Sequence, residues 1–162
     1  MNVSQVMCRS VATCSQQESL DAAVRKMWDL DVGCLPVVDA ENRVVGMLTD
    51  RDACMAAYTQ GSSLKDIRVE SAMAHKVYVR QPNERVQDVE AIMRTYRIRR
   101  VPIVDADGRL IGLVSLSDLV REAMSERSRR HPDVPGDEIV CTLASICEPR
   151  QERHESTPAA AE

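Results

Sequence analysis

The apolar and polar positions of this chain change from a helical period to a strand period and back, and they do so twice. In the first half, one face of a predicted helix consists of Leu20, Ala23, Val24, Met27 and Leu30. Ser19 precedes this run and can accept a hydrogen bond from a first-turn amide, while Gly33 is typical of a helix end. The pattern predicts a helix between these two residues.

Two short apolar runs rich in β-branched residues follow the helix in each half, and such runs predict pairs of strands. They cover 34–38 and 43–48 in the first half, and 100–104 and 109–114 in the second. The polar turn at 105–108 ends in Asp-Gly, which is typical of tight hairpins. Each half therefore contains a predicted β-hairpin.

A further helix is predicted after each hairpin, over 50–58 and 116–124. Thr49 can cap the first of these, and the acidic residues of its first turn suit the positive end of the helix dipole. The second half opens with a helix predicted over 84–96. Its inward face is predicted to consist of Val86, Val89, Ile92 or Met93, and Tyr96.

The two halves match at a fixed offset of 66 residues. The clearest match joins Gly-Met-Leu-Thr-Asp-Arg-Asp at 46–52 to Gly-Leu-Val-Ser-Leu-Ser-Asp at 112–118. No gap is needed between 7–57 and 73–123, and a motif that recurred by chance would not keep its register over so long a stretch. We interpret the chain as two copies of one supersecondary unit.

The size of each copy predicts that the two copies share a core, because a unit of about 60 residues is only marginally stable alone. We place the copies at 3–60 and 71–124, with a linker at 61–70. The extension at 125–162 is charged and polar, and we expect it to be partly disordered, with a short amphipathic helix at 136–147.

The composition narrows the class of protein. Apolar residues form 44% of the chain and aromatic residues 2%, so we expect a core of aliphatic residues, Met and Ala. A net charge of −4 argues against a nucleic-acid-binding protein. No apolar run approaches the roughly 20 residues of a membrane span. The six cysteines form no Cys-x-x-Cys pair, and no secretory signal is visible, so we expect free thiols in a cytoplasmic protein.

The repeated stretch combines a glycine, a hydroxyl and an aspartate three residues after the hydroxyl. The glycine allows another group to approach the backbone, and the hydroxyl and helix amides can donate hydrogen bonds to an anion. The aspartate can accept bonds from neighbouring hydroxyls, so a ribonucleotide would satisfy the whole set. In the alternative interpretation Thr49 and Ser115 only cap helices. The aspartate recurs at a fixed position in both copies. On the assumption that a helix cap does not require this aspartate, its recurrence favours the ligand-binding interpretation.

Together these features resemble a tandem pair of cystathionine-β-synthase (CBS) domains, or Bateman module, of the stand-alone prokaryotic type. The resemblance covers about 3–124 and also rests on Leu-Pro-Val-Val-Asp at 35–39 and Val-Pro-Ile-Val-Asp at 101–105. It implies an α/β (α+β) fold in which two pseudo-symmetric β-α-β-β-α repeats pack sheet to sheet. It also implies a homodimer.

The resemblance implies two clefts for adenosyl ligands, namely AMP, ADP, ATP or S-adenosylmethionine, with no required cofactor. One cleft would contain Ser115, Asp118, Ala12, Val32 and Gly33. The other would contain Thr49, Asp52, Tyr78, Ile98 and Arg99. The two aspartates would bind the ribose hydroxyls. Tyr78 could stack on a base or could block its cleft, and both alternatives remain open.

Charge distinguishes the two predicted clefts. The cleft of Thr49 is flanked in sequence by His75, Lys76, Arg51, Arg97, Arg99 and Arg100. The cleft of Ser115 has Arg9 but otherwise Met7, Cys8 and Cys34, so we expect it to be the more apolar one and to take a less charged adenosyl ligand or stay empty. Bonds from arginine to phosphate are strong because they are charge-assisted, so we expect the cleft of Thr49 to prefer ligands with more phosphates.

The function implied by the resemblance is a regulatory module that senses an adenine nucleotide and acts on an unidentified partner protein. The alternative is a structural module that dimerises or docks a partner and binds no small ligand. We do not expect an enzyme, because no nucleophile–base pair or metal-ligand spacing stands out. The three histidines, at positions 75, 131 and 154, lie far apart in the sequence.

Overall fold

The computed structural model describes residues 1–148 and shows an α+β fold of two small sheets with helices packed on them. The strands are β1 (Cys14–Ser15), β2 (Cys34–Val38), β3 (Val44–Thr49), β4 (Arg100–Val104) and β5 (Leu110–Ser115). The helices are α1 (Val3–Val6), α2 (Leu20–Asp29), α3 (Asp50–Gln60), α4 (Val86–Tyr96), α5 (Leu116–Glu126) and α6 (Gly136–Cys147). The predicted fold class is confirmed, as is the predicted helix at 136–147.

Local chemistry explains where α2 begins and ends. The Ser19 Oγ accepts a hydrogen bond from the Ala22 N–H at 3.3 Å, so the helix begins where its cap predicts. The helix ends at Asp29, and the left-handed residue after it is Asp31, with a φ of 52°. The prediction that Gly33 ends this helix is therefore wrong.

The two hairpins repeat the same pairing. β2 lies between β1 and β3, and β4 pairs with β5 in a separate antiparallel sheet. Leu35 lies opposite Leu48 in the first hairpin, and Val101 lies opposite Val114 in the second. All four residues are fully buried, so each sheet contributes one face to an apolar core.

The hairpins meet at their turns across a pseudo-two-fold axis. Arg43 and Arg109, which match in the repeat, face each other in an isolated antiparallel bridge. On one side the Leu110 N–H donates to the Asn42 carbonyl at 2.9 Å, and the matching bond on the other side measures 3.3 Å. The repeats are thus joined by main-chain hydrogen bonds as well as by side chains.

Each repeat also exchanges its leading segment with the other. Val3 and Met7 are buried in the core that β4 and β5 form, whereas Val69 and Met73 are buried in the core that β2 and β3 form. Neither core is therefore built from one copy of the sequence unit alone. This observation agrees with the expectation that a unit of about 60 residues needs its neighbour.

The repeated glycine makes room for the exchanged segments. A Cβ on Gly46 would lie 2.5 Å from the Met73 Sδ, and a Cβ on Gly112 would lie 2.7 Å from the Met7 Sδ. Close-packed interiors do not allow such a short separation without a shift of the backbone or side chain. In this structure, the group that approaches the glycine backbone is therefore a methionine from the other repeat.

The C-terminal helix covers the second repeat. α6 packs on α4 and α5, with Ile139 buried in the core of the second repeat. Glu138 pairs with Arg94 of α4 at 2.9 Å. The part of the extension that the structure describes thus adds a third helix to this side of the molecule, which the first repeat lacks.

The predicted boundaries of the repeats stay a prediction. The predicted linker at 61–70 contains Ile67 and Val69, which are both buried in the first core. The expected disorder of the tail concerns residues 149–162, which lie outside the described part of the chain. Among residues 1–148, every helix is too short or too polar to cross a membrane.

Candidate functional site

A cavity of about 620 Å³ lies beside the N-terminus of α5. Its walls come from the segment before β1, from the loop between α2 and β2, and from the junction of β5 with α5. All the residues predicted for the first cleft line this cavity: Ala12, Val32, Gly33, Ser115 and Asp118. The structure therefore brings this set together from both repeats, while the role of each residue in binding stays a prediction.

Ser115 and Asp118 hold each other in a capping box at the start of α5. The Ser115 Oγ and N–H both donate to the Asp118 Oδ2, at 2.6 and 2.7 Å, and the Asp118 N–H donates to the Ser115 Oγ at 3.2 Å. Thr49 and Asp52 form the same box at the start of α3. The assumption that a cap does not require the aspartate is wrong, because the aspartate is half of each cap.

The second oxygen of Asp118 takes no part in the cap and contacts an exposed arginine. The cap uses Oδ2, and the guanidinium of Arg121 contacts Oδ1. The Arg121 side chain is 71% exposed, so it can leave Oδ1 without disturbing the core. A ribose hydroxyl could then bind the carboxylate, and the released guanidinium would remain close enough to bind a phosphate.

The charged residues that line the cavity are mostly arginines. The cavity is lined by Arg99, Arg100 and Arg121, and its acidic residues are Asp31 and Asp118. The prediction that this cleft is the more apolar one is therefore wrong. Three arginines lining one cavity suit an anionic ligand, since arginine forms forked, charge-assisted bonds with phosphate.

Arg99 lies on this cavity, although the sequence analysis assigned it to the cleft of Thr49. Its carbonyl accepts a hydrogen bond of 2.9 Å from the Leu116 N–H, which fixes the start of β4 against the start of α5. Arg9, which was expected beside Ser115, does not line the cavity, and its guanidinium donates to the Ser4 carbonyl at 3.4 Å.

The sequence analysis did not predict that Arg121 and Leu143 line this cavity, and it placed Arg100 beside the cleft of Thr49. Arg121 follows Asp118 by three residues on one helix, and this spacing places two side chains on the same face, so the sequence contained a usable signal. Leu143 reaches the cavity because α6 packs on α5. The repeat has no counterpart of α6, so no argument from the repeat could have found it.

The second predicted set is only partly brought together. Tyr78 and Ile98 pack against the second core, whereas Arg99 lies on the other cavity. The Tyr78 ring stacks on Tyr96, with centroids 3.6 Å apart and an interplanar angle of 16°. The prediction that Tyr96 faces inward is wrong, because this side chain is 43% exposed.

Two cysteines, Cys8 and Cys34, also line the cavity. Burial raises the pKa of the Cys34 thiol; the nearby Arg100 lowers that pKa and Asp50 raises it. The thiol is therefore protonated at neutral pH and is a poor nucleophile. Within residues 1–148, no group of His, Cys, Asp and Glu side chains is arranged to hold a metal ion.

The family model of the CBS domain matches this chain twice, at residues 3–58 and 65–125. A CBS domain-containing protein of Bacillus subtilis, YhcV, is 35% identical over 127 residues, which are 78% of this chain and 89% of that protein.

Two solved structures with bound ligands have a similar fold. The CBS domain pair of protein MJ0100, in complex with 5′-methylthioadenosine and S-adenosyl-L-methionine, matches with a TM-score of 0.67 and 26% identity, over 75% of this chain and 98% of that one. CBSX2 in complex with AMP matches with a TM-score of 0.68 and 25% identity, over 78% of this chain and 98% of that one.

Proposed function

Because this chain belongs to the CBS-domain family, with one domain in each half, we propose that it is a regulatory module that binds an adenine nucleotide and acts on a partner protein. One observation carries the proposal: a cavity between the two repeats combines the Ser115–Asp118 pair with three arginines. The adenosyl ligands bound by MJ0100 and CBSX2 support the class of ligand. We propose a binding function and no catalytic one.

The charges of the cavity favour a nucleotide with several phosphates. In this proposal the ribose hydroxyls bind the Asp118 Oδ1, and the phosphates bind Arg99, Arg100 and Arg121. S-adenosylmethionine carries a positive sulfonium group, which three guanidinium groups would repel. We therefore propose ATP or ADP ahead of AMP, and AMP ahead of S-adenosylmethionine. This proposal assigns the preference for phosphates to the cavity of Ser115, whereas the sequence analysis expected it in the cleft of Thr49.

The volume of the cavity is compatible with this ligand class. Pockets that bind small molecules typically measure about 300–1,000 Å³. The cavity measures about 620 Å³, and its lining includes Val11, Ala12 and Val32, which can contact an adenine ring. Ser115, Asp118 and Arg121 lie at or near the start of α5, and Arg99 and Arg100 lie at the start of β4, so the lining offers both apolar contacts and groups that can bind an anion.

Thermal unfolding with a panel of ATP, ADP, AMP and S-adenosylmethionine tests the proposal. A ligand that binds only the folded state, at a hundred times its Kd, stabilises that state by about 2.7 kcal/mol. For a chain of this size we expect the Tm to rise by about 5–10 °C with the best ligand. An unchanged Tm with all four ligands at millimolar concentration would contradict the proposal.

A second candidate function is favoured by a specific observation, namely the bare helical face of the first repeat. Trp28 on α2 is 85% exposed and Tyr58 on α3 is 81% exposed. In the second repeat, α6 packs on the matching helices α4 and α5. We propose that this face pairs with a second copy of the chain. The homodimer would serve as a docking module whether or not a nucleotide is bound.

A further inference from the structure

Ala12 and Tyr78 occupy the same position in the two repeats, 66 residues apart, but they differ greatly in volume. Ala12 lines the cavity that contains Ser115 and Asp118. The corresponding place in the other cleft, beside Thr49, belongs to Tyr78. The two clefts are therefore unequal at one of the positions that determine whether a base can enter.

The structure supports this equivalence independently of the sequence. Cys8, shortly before Ala12, forms a bridge with Leu113 of β5. Ala74, shortly before Tyr78, forms the matching bridge with Met47 of β3. Both segments thus run along corresponding strands, and the side chains that follow lie at corresponding places in the two clefts.

The Tyr78 ring stacks on another aromatic ring of the same chain. Its partner is Tyr96, with ring centroids 3.6 Å apart, and the Lys76 ammonium lies 5.3 Å from the Tyr78 centroid. Tyr96 matches Leu30, which precedes the cavity-lining loop of the first repeat and is 55% exposed. The aromatic pair therefore joins two segments whose counterparts in the first repeat stand on either side of an open cavity.

A base cannot enter between these rings unless the stack opens. Two rings that are separated by 3.6 Å are in van der Waals contact, and an inserted base would need about twice that separation. The interaction that adenine would gain from Tyr78 is already made by Tyr96. In this cleft, Thr49 and Asp52 form the capping box at the start of α3.

From this geometry we propose that the Tyr78–Tyr96 stack closes the cleft of Thr49, so that each chain binds one adenosyl ligand, in the cavity of Ser115. The proposal rests on the proposed nucleotide-binding function and adds its stoichiometry. It also assigns Tyr78 as the residue that makes the two repeats functionally unequal.

The experiment counts the ATP molecules bound per chain, by equilibrium dialysis and calorimetry, for the wild-type chain and a reciprocal set of variants. Tyr78→Ala opens the cleft of Thr49, and Tyr78→Phe is the matched control that retains the ring. Ala12→Tyr with Leu30→Tyr reproduces the aromatic pair in the other cleft. Combining Tyr78→Ala with these two changes moves the open cleft from one repeat to the other. Thermal unfolding of each variant identifies those that remain folded.

We expect one ATP per chain for the wild type and for Tyr78→Phe, and two for Tyr78→Ala. Ala12→Tyr/Leu30→Tyr should bind none, and the triple variant should again bind one. If Tyr78→Ala does not fold, the loss of binding in Ala12→Tyr/Leu30→Tyr, against one ATP in the wild type, still tests the effect of the stack.

Several results would overturn the inference and leave the proposed function intact: two ATP molecules on the wild type, still one on Tyr78→Ala, or a loss of binding in Tyr78→Ala. The last result would mean that Tyr78 stacks on the base. If the wild type binds none and Tyr78→Ala binds one, the stack closes the cleft of Thr49, but the inferred count of one ligand per chain and the proposed use of the Ser115 cavity are both wrong. Absence of binding in every variant contradicts both.

Discussion

At the scale of single residues, the repeated glycine determines how closely the exchanged segments can approach the hairpins. The same position recurs in both repeats because each hairpin accepts a methionine from the other half. Gly112 lies beneath Met7, and the Cys8 carbonyl would also be 3.1 Å from an added Cβ. The sequence analysis interpreted this glycine as space for a ligand, and the structure shows space for a side chain.

We expect Gly112→Ala to lower the free energy of unfolding by about 1–3 kcal/mol, because overpacking a close-packed core has a cost of that size. The new Cβ would lie 2.7 Å from the Met7 Sδ and 3.1 Å from a backbone oxygen, and the latter cannot move away easily. Urea denaturation measures the change. Gly136→Ala is the matched control, since an added Cβ there meets nothing within 4 Å. Equal stability of the two variants would contradict the packing argument.

The residue scale also shows which site residues the sequence can predict. Ala12, Val32, Gly33, Ser115 and Asp118 all line one cavity, as the family resemblance implied. The repeat makes this prediction possible, because segments at matching positions of the two copies form corresponding contacts. The sequence misplaced Arg99 because its neighbours along the chain do not reveal that its carbonyl is bound to the start of α5.

At the scale of elements, the local patterns predicted most helices and strands, because caps and apolar periods act over a few residues. Ser19, Thr49 and Ser115 each begin a helix as their hydroxyls indicate. The exchange of Val3 and Val69 between the two cores could not be predicted from the sequence. A repeat shows which residues match, but it does not show whether a segment packs against its own copy or against the other copy.

The contact between α4 and α6 gives an element-scale prediction about pH. Glu90 of α4 is 1% exposed, and its Oε1 has no hydrogen-bond partner in the described part of the chain. Burial raises the pKa of this carboxyl, and the charge of Glu138 on α6 raises it further, while Arg94 lowers it. The folded state therefore holds this proton more tightly than the unfolded state does.

The sign of the pH effect follows from that difference. Stability falls with rising pH wherever the folded state binds more protons, so Glu90 should destabilise the fold progressively from its unfolded pKa, about 4.3, up to its raised folded pKa. We expect Glu90→Gln to be more stable than the wild type at neutral pH and to lose this slope. Denaturant titrations at several pH values measure it. The exposed Glu41→Gln is the control, and a slope unchanged by Glu90→Gln would contradict the assignment.

At the scale of the whole molecule, the chain is asymmetric although its repeats are alike. α6 packs on the helices of the second repeat, whereas α2 and α3 of the first repeat, which pack on each other, present Trp28 and Tyr58 to solvent. Large aromatic side chains exposed on two adjacent helices are typical of an interaction surface. A symmetric dimer through this face would bury both residues of each copy.

We expect light scattering to show a dimer at about 10–50 µM chain, a range in which interfaces of micromolar affinity are occupied. The double variant Trp28→Ala/Tyr58→Ala should be monomeric there, because the apolar area that drives association is lost. Val140→Ala is the control, since Val140 is also exposed, at 66%, but lies on α6. A wild-type monomer, or a dimer that survives the double change, would contradict this interface.

Calorimetric titration of ATP and AMP into the wild type, Arg99→Ala and Arg9→Ala tests the central claim most directly. The account predicts ATP binding in the cavity of Ser115, and Arg99→Ala should weaken ATP about tenfold or more and AMP less, because hydrogen bonds to charged groups contribute about 1.5–3 kcal/mol. The difference should shrink as salt rises, since ions screen the exposed guanidinium. Arg9 does not line the cavity, so Arg9→Ala should bind as the wild type does. No ATP binding by the wild type, or equal affinity in all three proteins, would contradict the account.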